Sequence, residues 1–425
     1  MKIAVIGGGG REHAIIKSLK KSPEVESIYA LPGNGGIAED AECIPIGALD
    51  LDEIVKFAND EALDYVVVAP DDPLVMGLVD RLAEAGIPAF GPTAAAAQIE
   101  GSKAFAKDLM KKYGIPTAEY EIFKDVRKAA AYVEDCKLPV VIKADGLALG
   151  KGVIIAKTRE EAREGIATIM EEKKFGSSGD TVVIEEFLEG PEVSVLAFTD
   201  GKTMRPMVSS MDHKRALDGD EGLNTGGMGT VAPNPYYTKE IADECMKRIF
   251  LPTMHAMNEE GRTFRGCLYF GLMLTKDGPK VIEYNSRFGD PETQVVLPLL
   301  DGDLFEIMRA TTEGRLDEVD FSFREEAACC VVAASDGYPV SYRKGFKVTL
   351  PKEHDQIFIA GTKLGEKDGE ICQLTSGGRV LGVTETAATL PEAIEKAYAK
   401  LAEVHFENMY YRKDIGKRAL EALSE

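Results

Sequence analysis

The chain has 425 residues, of which 44% are hydrophobic, and at roughly 100–200 residues per domain this length predicts two to four domains. The formal net charge of −21 argues against general nucleic-acid binding, because neutralising phosphates requires a basic surface. No apolar run reaches the roughly 18 residues of a membrane span, and the apolar start Met1–Ile6 lacks the cleavage site of a secretory signal.

Strand and helix patterns alternate along the first hundred residues. Apolar runs predict strands at Ile3–Ile6, Ile28–Ala30 and Tyr65–Val68, and helical periodicity predicts helices at Glu12–Lys20, Leu51–Asn59 and Leu74–Ala85. Such alternation indicates βαβ units and a parallel sheet. Ligands usually bind at the carboxyl ends of the strands in such a sheet.

A glycine-rich loop, Gly7–His13, follows the first predicted strand. Its backbone amides and the next helix N-terminus favour an anion, and Arg11 adds a cation. The dinucleotide pattern G-x-G-x-x-G is incomplete, because Glu12 stands at its sixth position. A compact phosphate monoester is therefore expected here, and a tight turn without a ligand remains the alternative.

Two lysine-bearing segments in the middle of the chain indicate a phosphate site. The predicted helix Lys103–Tyr113 begins with a lysine that opposes the helix dipole unless an anion is bound. A predicted strand pair around Val140–Ile155 encloses a glycine-rich loop between Lys143 and Lys151, which would fold over a triphosphate as a flap. The alternatives are a surface lysine and an ordinary β-hairpin. A charged helix is predicted next, at about Arg159–Glu172.

A later apolar run, starting at Val281, predicts a strand with functional side chains. Glu283 and Asn285 are two residues apart and therefore share one face of the strand. Two hard oxygen donors suit Mg²⁺ (or Mn²⁺), which commonly shares its coordination with nucleotide phosphates. Arg287 follows at the same spacing and would hold a second anion. The pattern indicates phosphoryl chemistry, although a solvated strand face is the alternative.

The last hundred residues predict a small α+β unit, with a strand at Ala327–Ala333 and a final helix at about Leu390–Asn408. The adjacent Cys329 and Cys330 lie in an apolar run, which raises a thiol pKa and makes the group inert. The seven cysteines are scattered and lack zinc-ligand spacing, so free thiols in a reducing cytoplasm are expected.

The segment Arg287–Gln294, RFGDPETQ, resembles the glycinamide ribonucleotide synthetase family of ATP-grasp enzymes. Further motifs follow the family's order along nearly the whole chain. The resemblance implies an α/β and α+β multidomain protein. It would have an N-terminal Rossmann-like parallel-sheet domain over 1–102 and a two-lobed ATP-grasp core over 103–325, whose flap lobe covers about 120–190. A small C-terminal α+β domain would cover 326–425.

The resemblance also implies three sets of site residues. For ATP they are Lys103, Lys143, Gly150, Lys151, Gly152, Glu185, Phe187, Leu188 and Glu192, with Glu185 facing the exocyclic amine of adenine and Glu192 the ribose. For phosphoribosylamine and glycine they are Gly9, Gly10, Arg11, Gly35, Asp71, Lys214, Thr225, Gly226, Gly227, Arg287, Asp290 and Pro291. The catalytic set is Lys143, Arg287, Asp212 and His213. His213 would be a proton shuttle or a structural hydrogen-bonding group, and Asp71 replaces the glutamate usual in the family.

The implied reaction joins glycine to 5-phospho-β-D-ribosylamine, with ATP as co-substrate and Mg²⁺ or Mn²⁺ as cofactor. It passes through glycyl phosphate and forms glycinamide ribonucleotide, ADP and phosphate in the second step of purine biosynthesis. A cytoplasmic monomer is expected, with small-molecule substrates and no nucleic-acid or membrane partner. The alternatives are another ATP-grasp ligase, such as a carboxylase that uses bicarbonate, and a nucleotide-binding sensor without turnover.

Overall fold

A computed structural model describes residues 1–148 and 152–424 of the chain. In the N-terminal region, strands and helices alternate. The strands are β1 (Lys2–Gly7), β2 (Ser27–Pro32), β3 (Glu42–Cys43), β4 (Tyr65–Val68) and β5 (Ala89–Phe90); the helices are α1 (Gly10–Leu19), α2 (Leu51–Asp60), α3 (Asp71–Val75), α4 (Leu78–Glu84) and α5 (Ala94–Gly101). The strands are parallel in the order β3-β2-β1-β4-β5. The predicted parallel sheet is thereby confirmed, and the loops after β1 and β4 lie side by side at its centre.

One predicted helix of this region is divided in two. The sequence predicts a single helix over Leu74–Ala85, whereas α3 begins at Asp71 and α4 begins at Leu78. Gly77 between them has a φ of 91°. This left-handed conformation interrupts the helix, and glycine adopts it without steric strain.

The next region forms the flap lobe, a small sheet covered by two helices. Its elements, with the helix that precedes them, are α6 (Lys103–Tyr113), β6 (Tyr120–Phe123), α7 (Val126–Asp135), β7 (Val140–Ala144), β8 (Val153–Ala156), α8 (Arg159–Ile166) and β9 (Val182–Glu186). The strands pair antiparallel in the order β6-β9-β7-β8. Ala129 of α7, Ala162 of α8 and Ile142 of β7 share one buried cluster. Strands β7 and β8 are the predicted strand pair.

The larger lobe of the core is built on a second antiparallel sheet. The elements of this stretch are β10 (Glu192–Thr199), β11 (Met204–Pro206), β12 (Met211–Asp212), β13 (Arg215–Leu217), β14 (Glu221–Asn224), β15 (Gly229–Ala232), α9 (Lys239–Cys245), α10 (Leu251–Glu259), β16 (Gly266–Thr275), β17 (Gly278–Asn285), α11 (Thr293–Val296), β18 (Leu300–Asp301), α12 (Leu304–Glu313) and β19 (Ser322–Phe323). The sheet has the order β11-β10-β16-β17 and packs against α6 and α10. A bulge at Ile282 shifts the β16–β17 pairing just before Glu283. Such bulges re-aim the side chains that follow them.

The C-terminal region confirms the predicted small α+β unit. Its elements are β20 (Ala327–Ser335), β21 (Ile357–Ile359), β22 (Thr362–Lys367), β23 (Glu370–Thr375), β24 (Arg379–Ala387), α13 (Leu390–Leu401), β25 (Met409–Tyr410) and α14 (Lys417–Ser424). Its main sheet has the order β12-β15-β20-β24-β21, and β25 also pairs with β20. Two strands from before residue 325 therefore belong to this sheet.

The predicted final helix is shorter than the sequence indicates, and it is not the last element. The prediction extends to about Asn408, whereas α13 ends at Leu401. His405 instead exchanges two backbone hydrogen bonds with Thr349, of 2.8 and 3.0 Å, so an extended pairing replaces the helical one. Within the described ranges, no helix combines the length and the hydropathy required to cross a membrane.

Candidate active site

A cavity of about 730 Å³ lies where the flap lobe, the larger lobe and both terminal regions meet. Its lining includes Arg11 and Asp71 from the N-terminal region, Lys143 from the flap lobe, Glu283 from the larger lobe and Arg379 from the C-terminal region. Loops at the ends of β1 and β4 therefore face strand ends of the core. The cavity is the candidate active site.

One end of the cavity is a mostly apolar slot with a single buried carboxylate. Glu185, near the end of β9, is 4% exposed, and its Oε2 lies 3.0 Å from Nζ of Lys143 and 3.2 Å from Nζ of Lys107. Its other oxygen, Oε1, is buried without a hydrogen-bond partner among the described residues. Apolar side chains line the slot, namely those of Ala106, Met110, Val141, Ile155, Phe187, Leu188 and Met273. The slot suits a flat ring with one donor at its edge.

The N-terminus of α6 is occupied by a carboxylate. Asp145 accepts from the backbone N–H of Ala104 at 2.7 Å and from the hydroxyl of Ser102 at 3.0 Å. Lys103 lines the cavity and donates to the carbonyl of Gly146 at 3.0 Å, and burial lowers its pKa. The lysine that the sequence assigned to phosphate is thus held at the root of the flap loop. No sequence pattern singled out Asp145.

The predicted flap residues are only partly described. Gly150 and Lys151 lie outside the described residues. Gly152 lines the cavity, and its carbonyl accepts from the backbone N–H of Ala144 at 2.8 Å. Lys143 also lines the cavity, where it donates to the carbonyl of Ile282 at 3.2 Å. This contact joins the flap lobe to the bulge in β17.

The two predicted metal ligands both line the cavity at the end of β17. Asn285 donates through Nδ2 to the carbonyl of Tyr284 at 2.7 Å, so its amide oxygen is left for another ligand. Glu283 lies 3.6 Å from Nζ of Lys214. Burial would raise the pKa of Glu283, but Lys214, Lys143 and Lys103 together hold it below its usual value. An ionised carboxylate beside an amide oxygen is a donor pair that Mg²⁺ and Mn²⁺ accept.

Arg287 lies beyond the strand on which the sequence placed it. Strand β17 ends at Asn285, and Arg287 Nη2 pairs with Glu100 Oε1 at 3.0 Å and with Asp71 Oδ2 at 4.0 Å. Glu100 is fixed in turn by the N–H and hydroxyl of Ser286, at 2.7 and 2.8 Å. The expected free anion hook is therefore already paired. No sequence pattern singled out Glu100, which is far from Arg287 along the chain.

Asp212, Tyr269 and Glu292 also line the cavity. Glu292 accepts from the hydroxyl of Tyr269 at 3.0 Å, and Tyr269 also bonds Ser194 at 2.7 Å. Burial and the nearby Glu292 raise the pKa of Asp212 well above its usual value. Although burial disfavours its charge, Glu283 and Glu192 raise the pKa of Lys214. The sequence indicated Asp212 and Lys214 but missed Tyr269 and Glu292.

His213 does not reach the cavity. Its side chain is buried, with Nδ1 3.0 Å from the carbonyl of Gly229 and Nε2 accepting from the backbone N–H of Gly416 at 3.1 Å. Burial, with Arg418 and Arg412 nearby, lowers its pKa to about 4. Both ring nitrogens contact backbone groups, and this geometry favours the structural alternative for His213 over the proton shuttle.

The three N-terminal glycines of the substrate set, Gly9, Gly10 and Gly35, pack against other parts of the protein. The N–H of Gly9 donates to Glu12 at 2.6 Å, and the N–H of Gly35 donates to the carbonyl of Thr362 at 3.1 Å. A Cβ on Gly10 would lie 2.7 Å from the amide nitrogen of Gln294. These contacts leave Arg11 and Asp71 as the members of that set that reach the cavity from the N-terminal region.

Two further segments of the substrate set lie after β14 and after β17. Thr225, Gly226 and Asp290 of these segments line the cavity, whereas Gly227 and Pro291 are not among its lining residues. A Cβ on Gly227 would lie 2.5 Å from Cδ of Pro291, so the two pack directly against each other.

Arg379 connects the C-terminal region to this loop, and sequence analysis missed it. Its Nη1 donates to the carbonyl of Asp290 at 2.9 Å, and its Nη2 lies 3.6 Å from the carboxylate of Asp290. The neighbouring Tyr338 accepts from the N–H of Gly226 at 3.1 Å. No local pattern marks Arg379, since its partners are distant in sequence.

Family models match three successive parts of the chain. They describe the N domain of phosphoribosylglycinamide synthetase at residues 1–100, its ATP-grasp (A) domain at 101–293 and its C domain at 328–418. A phosphoribosylamine–glycine ligase from Caldanaerobacter subterraneus subsp. tengcongensis is 46% identical over 98% of this chain and 99% of its own length.

Solved structures of similar proteins agree with these matches. The crystal structure of a phosphoribosylamine–glycine ligase from Thermotoga maritima is 37% identical, with a TM-score of 0.84 over 98% of this chain and 100% of its own. A biotin carboxylase domain from Hydrogenobacter thermophilus, in complex with MgADP and bicarbonate, is 16% identical, with a TM-score of 0.71 over 96% of this chain and 91% of its own. The second likeness concerns the fold alone.

Proposed function

The chain belongs to the phosphoribosylglycinamide synthetase family, and we propose how its cavity carries out the phosphoribosylamine–glycine ligase reaction. The enzyme uses ATP to join glycine to phosphoribosylamine in purine biosynthesis. One observation supports the assignment of roles above all others. Glu283 stands among Lys103, Lys143 and Lys214, which is the charge pattern that a metal–triphosphate complex requires.

The proposed chemistry proceeds in two steps. A carboxylate is a poor acyl donor, so an oxygen of the glycine carboxylate first attacks the γ-phosphorus of ATP, and the bond to ADP breaks. The amine of phosphoribosylamine then attacks the carbonyl carbon of the resulting glycyl phosphate. The carbon–oxygen bond to phosphate breaks, and the nitrogen loses one proton. Lys143 and Lys103 stabilise the negative charge that develops during phosphoryl transfer.

Glu283 and Asn285 would hold Mg²⁺ or Mn²⁺. Their donor atoms are hard oxygens, the carboxylate is ionised and the amide oxygen is free for a ligand. When bound, the ion neutralises charge on the phosphates. Within the described residues, no group of three or more His, Cys, Asp or Glu side chains could hold a metal. Phosphate oxygens and water would therefore complete the coordination.

Glu185 and the residues after it would bind the nucleoside of ATP. The unpaired Oε1 of Glu185 accepts from the exocyclic amine of adenine, and the backbone of Phe187 and Leu188 follows the ring edge. Glu192, at the start of β10, lines the cavity and would hold the ribose hydroxyls.

The opposite end of the cavity would bind the two remaining substrates. Arg11, after β1, attracts the phosphate of phosphoribosylamine, and Asp71, after β4, accepts from a ribose hydroxyl. Lys214, with Thr225, binds the glycine carboxylate. Asp212 lines the cavity near Lys214 and would accept the proton that the attacking amine loses, since burial and Glu292 raise its pKa and so strengthen it as a base.

Heavy oxygen in the glycine carboxylate tests the proposed intermediate. If glycyl phosphate forms, one labelled oxygen remains with phosphorus when the amine displaces phosphate, and the released phosphate carries it. Mass spectrometry of the phosphate measures this transfer. Phosphate without label, released together with glycinamide ribonucleotide, would rule out the acyl phosphate route.

A further inference from the structure

Lys107 is a buried cation that the proposed chemistry does not use. It lies on α6, one helical turn after Lys103, and is 2% exposed. Burial of an amine without a partner is costly, so its surroundings have to compensate for the lost hydration. Burial lowers its pKa to about 8, although Glu185 acts in the opposite direction.

Two acceptors fix the ammonium group of Lys107. Nζ lies 3.2 Å from Glu185 Oε2 and donates to the hydroxyl of Thr117 at 2.8 Å. Thr117 donates onward to the carbonyl of Val281 at 2.7 Å. A continuous chain of contacts therefore runs from β17, through α6, to the carboxylate in the adenine slot.

This arrangement makes the two oxygens of Glu185 different. Lys107 and Lys143 both pair with Oε2, whereas Oε1 has no partner among the described residues and belongs to a side chain that lines the cavity. A carboxylate held in this way presents an acceptor only. It would accept from a 6-amino group and would repel the oxygen of a 6-oxopurine.

We infer that Lys107 is a positioning residue that sets the preference for adenine over 6-oxopurines, by fixing the carboxylate of Glu185 with Oε1 toward the base. The inference rests on the adenine role proposed for Glu185. Without Lys107 the carboxylate keeps one anchor, Lys143, and can rotate away from the oxygen of a 6-oxopurine.

The test compares the binding of ATP and inosine triphosphate in the full-length protein. Each nucleotide displaces a fluorescent adenine nucleotide, with magnesium present and without glycine or amine, so the result does not depend on ligation. The measured ratio is the dissociation constant of inosine triphosphate divided by that of ATP. In Lys107→Met this ratio is expected to fall about tenfold, which corresponds to the loss of one charge-assisted hydrogen bond. Lys107→Arg should largely restore the ratio. Lys111→Met, an exposed lysine one turn further along α6, should leave it unchanged.

Each further outcome decides one part of the inference. If Lys107→Met is folded, binds both nucleotides more weakly and keeps the wild-type ratio, Lys107 contributes only charge and the inference is wrong. If that variant does not fold, as judged by thermal melting, Thr117→Val takes its place, and a wild-type ratio there overturns the inference. A wild-type protein that binds both nucleotides equally would remove the adenine role of Glu185 itself. Absent ligation activity would leave the binding ratio intact and would count only against the proposed function.

Discussion

Glu283 is the carboxylate near which three cavity lysines lie, and these lysines hold its pKa below the usual value. Glu283→Ala is expected to lower ligation at least about a hundredfold, the scale of losing a transition-state charge contact. Stability should change little, because the side chain is 32% exposed and makes one 3.6 Å ion pair. Steady-state kinetics and thermal melting measure the two effects.

A matched control for this variant is Asp277→Ala, which removes an exposed carboxylate from the turn before β17. Its activity should equal that of the wild type. Near-normal turnover in Glu283→Ala itself would remove the metal assignment.

His213 provides a prediction about pH. Its pKa is about 4 in the folded protein and about 6.5 when unperturbed, so the unfolded chain binds more protons between these values. The stability from this group is therefore present above pH 6.5 and is lost as the pH falls through about 4. Between pH 7 and pH 5 the loss amounts to roughly 2 kcal/mol.

His213→Asn removes this contribution. Its free energy of unfolding in urea should be lower than that of the wild type at pH 7 and should fall less steeply toward pH 5. Activity per folded molecule should remain near the wild-type level, because the ring does not reach the cavity. A large loss of kcat at pH 7 in a folded variant would restore a catalytic role.

Site residues could be predicted when they lie close to one another along the chain, and could not when their partners are distant in sequence. Glu283 and Asn285 could be placed on one strand face from their spacing alone, because a strand repeats every two residues. Glu100, Tyr269 and Arg379 carried no such pattern. Their partners come from other elements, and single-sequence spacing does not report which elements meet.

At the scale of elements, Gly190 controls the connection between the flap sheet and the core sheet. It lies between β9 and β10 with a φ of 146°, and a Cβ there would overlap the carbonyl oxygen of Leu274. Gly190→Ala should therefore destabilise the protein by at least about 3 kcal/mol and weaken ATP binding by displacing the segment Glu185–Leu188. Urea unfolding and nucleotide titration measure both effects.

Gly176→Ala is the control for Gly190→Ala, because it distinguishes the cost of steric overlap from the cost of a left-handed backbone conformation. Gly176 also has a positive φ, of 58°, but a Cβ would meet no atom within 4 Å. Its cost should be about 1 kcal/mol, with unchanged ATP binding. Equal effects of the two substitutions would contradict the role of steric overlap at Gly190.

The predicted boundaries of a helix agree with the structure where the sequence contains recognisable capping residues. Helix α6 begins and ends at the predicted residues, because Ser102 caps its N-terminus and Gly114 ends it in a left-handed conformation. The break at Gly77 and the early end of α13 depend on a backbone angle and on pairing with a distant strand. Apolar periodicity reports neither.

At the scale of the whole molecule, the C-terminal region is joined to the core by a shared sheet. Strand β15 is buried and pairs with β20 over Gly229–Ala232, and Ala328 and Cys330 of β20 belong to the same buried cluster as the N-terminal sheet. A fragment that ends at residue 325 would expose β15 and this cluster. It is expected to aggregate or to lose cooperative unfolding, as measured by light scattering and urea titration.

A soluble 1–325 fragment that binds ATP as tightly as the full chain would contradict this expectation. The predicted boundaries at 102 and 325 remain predictions, as does the monomeric state. The sequence indicated the architecture because strand and helix periods change along the chain. It could not indicate that β12 and β15 cross to the C-terminal sheet, since that depends on tertiary pairing.

The most direct test of the whole account is phosphate release from ATP and magnesium, with phosphoribosylamine generated in place from ribose 5-phosphate and ammonia. The account predicts rapid release only when glycine and the amine are both present, in equal amounts with glycinamide ribonucleotide. Release that requires bicarbonate or another carboxylate in place of glycine, or ATP binding without release under any of these conditions, would contradict it.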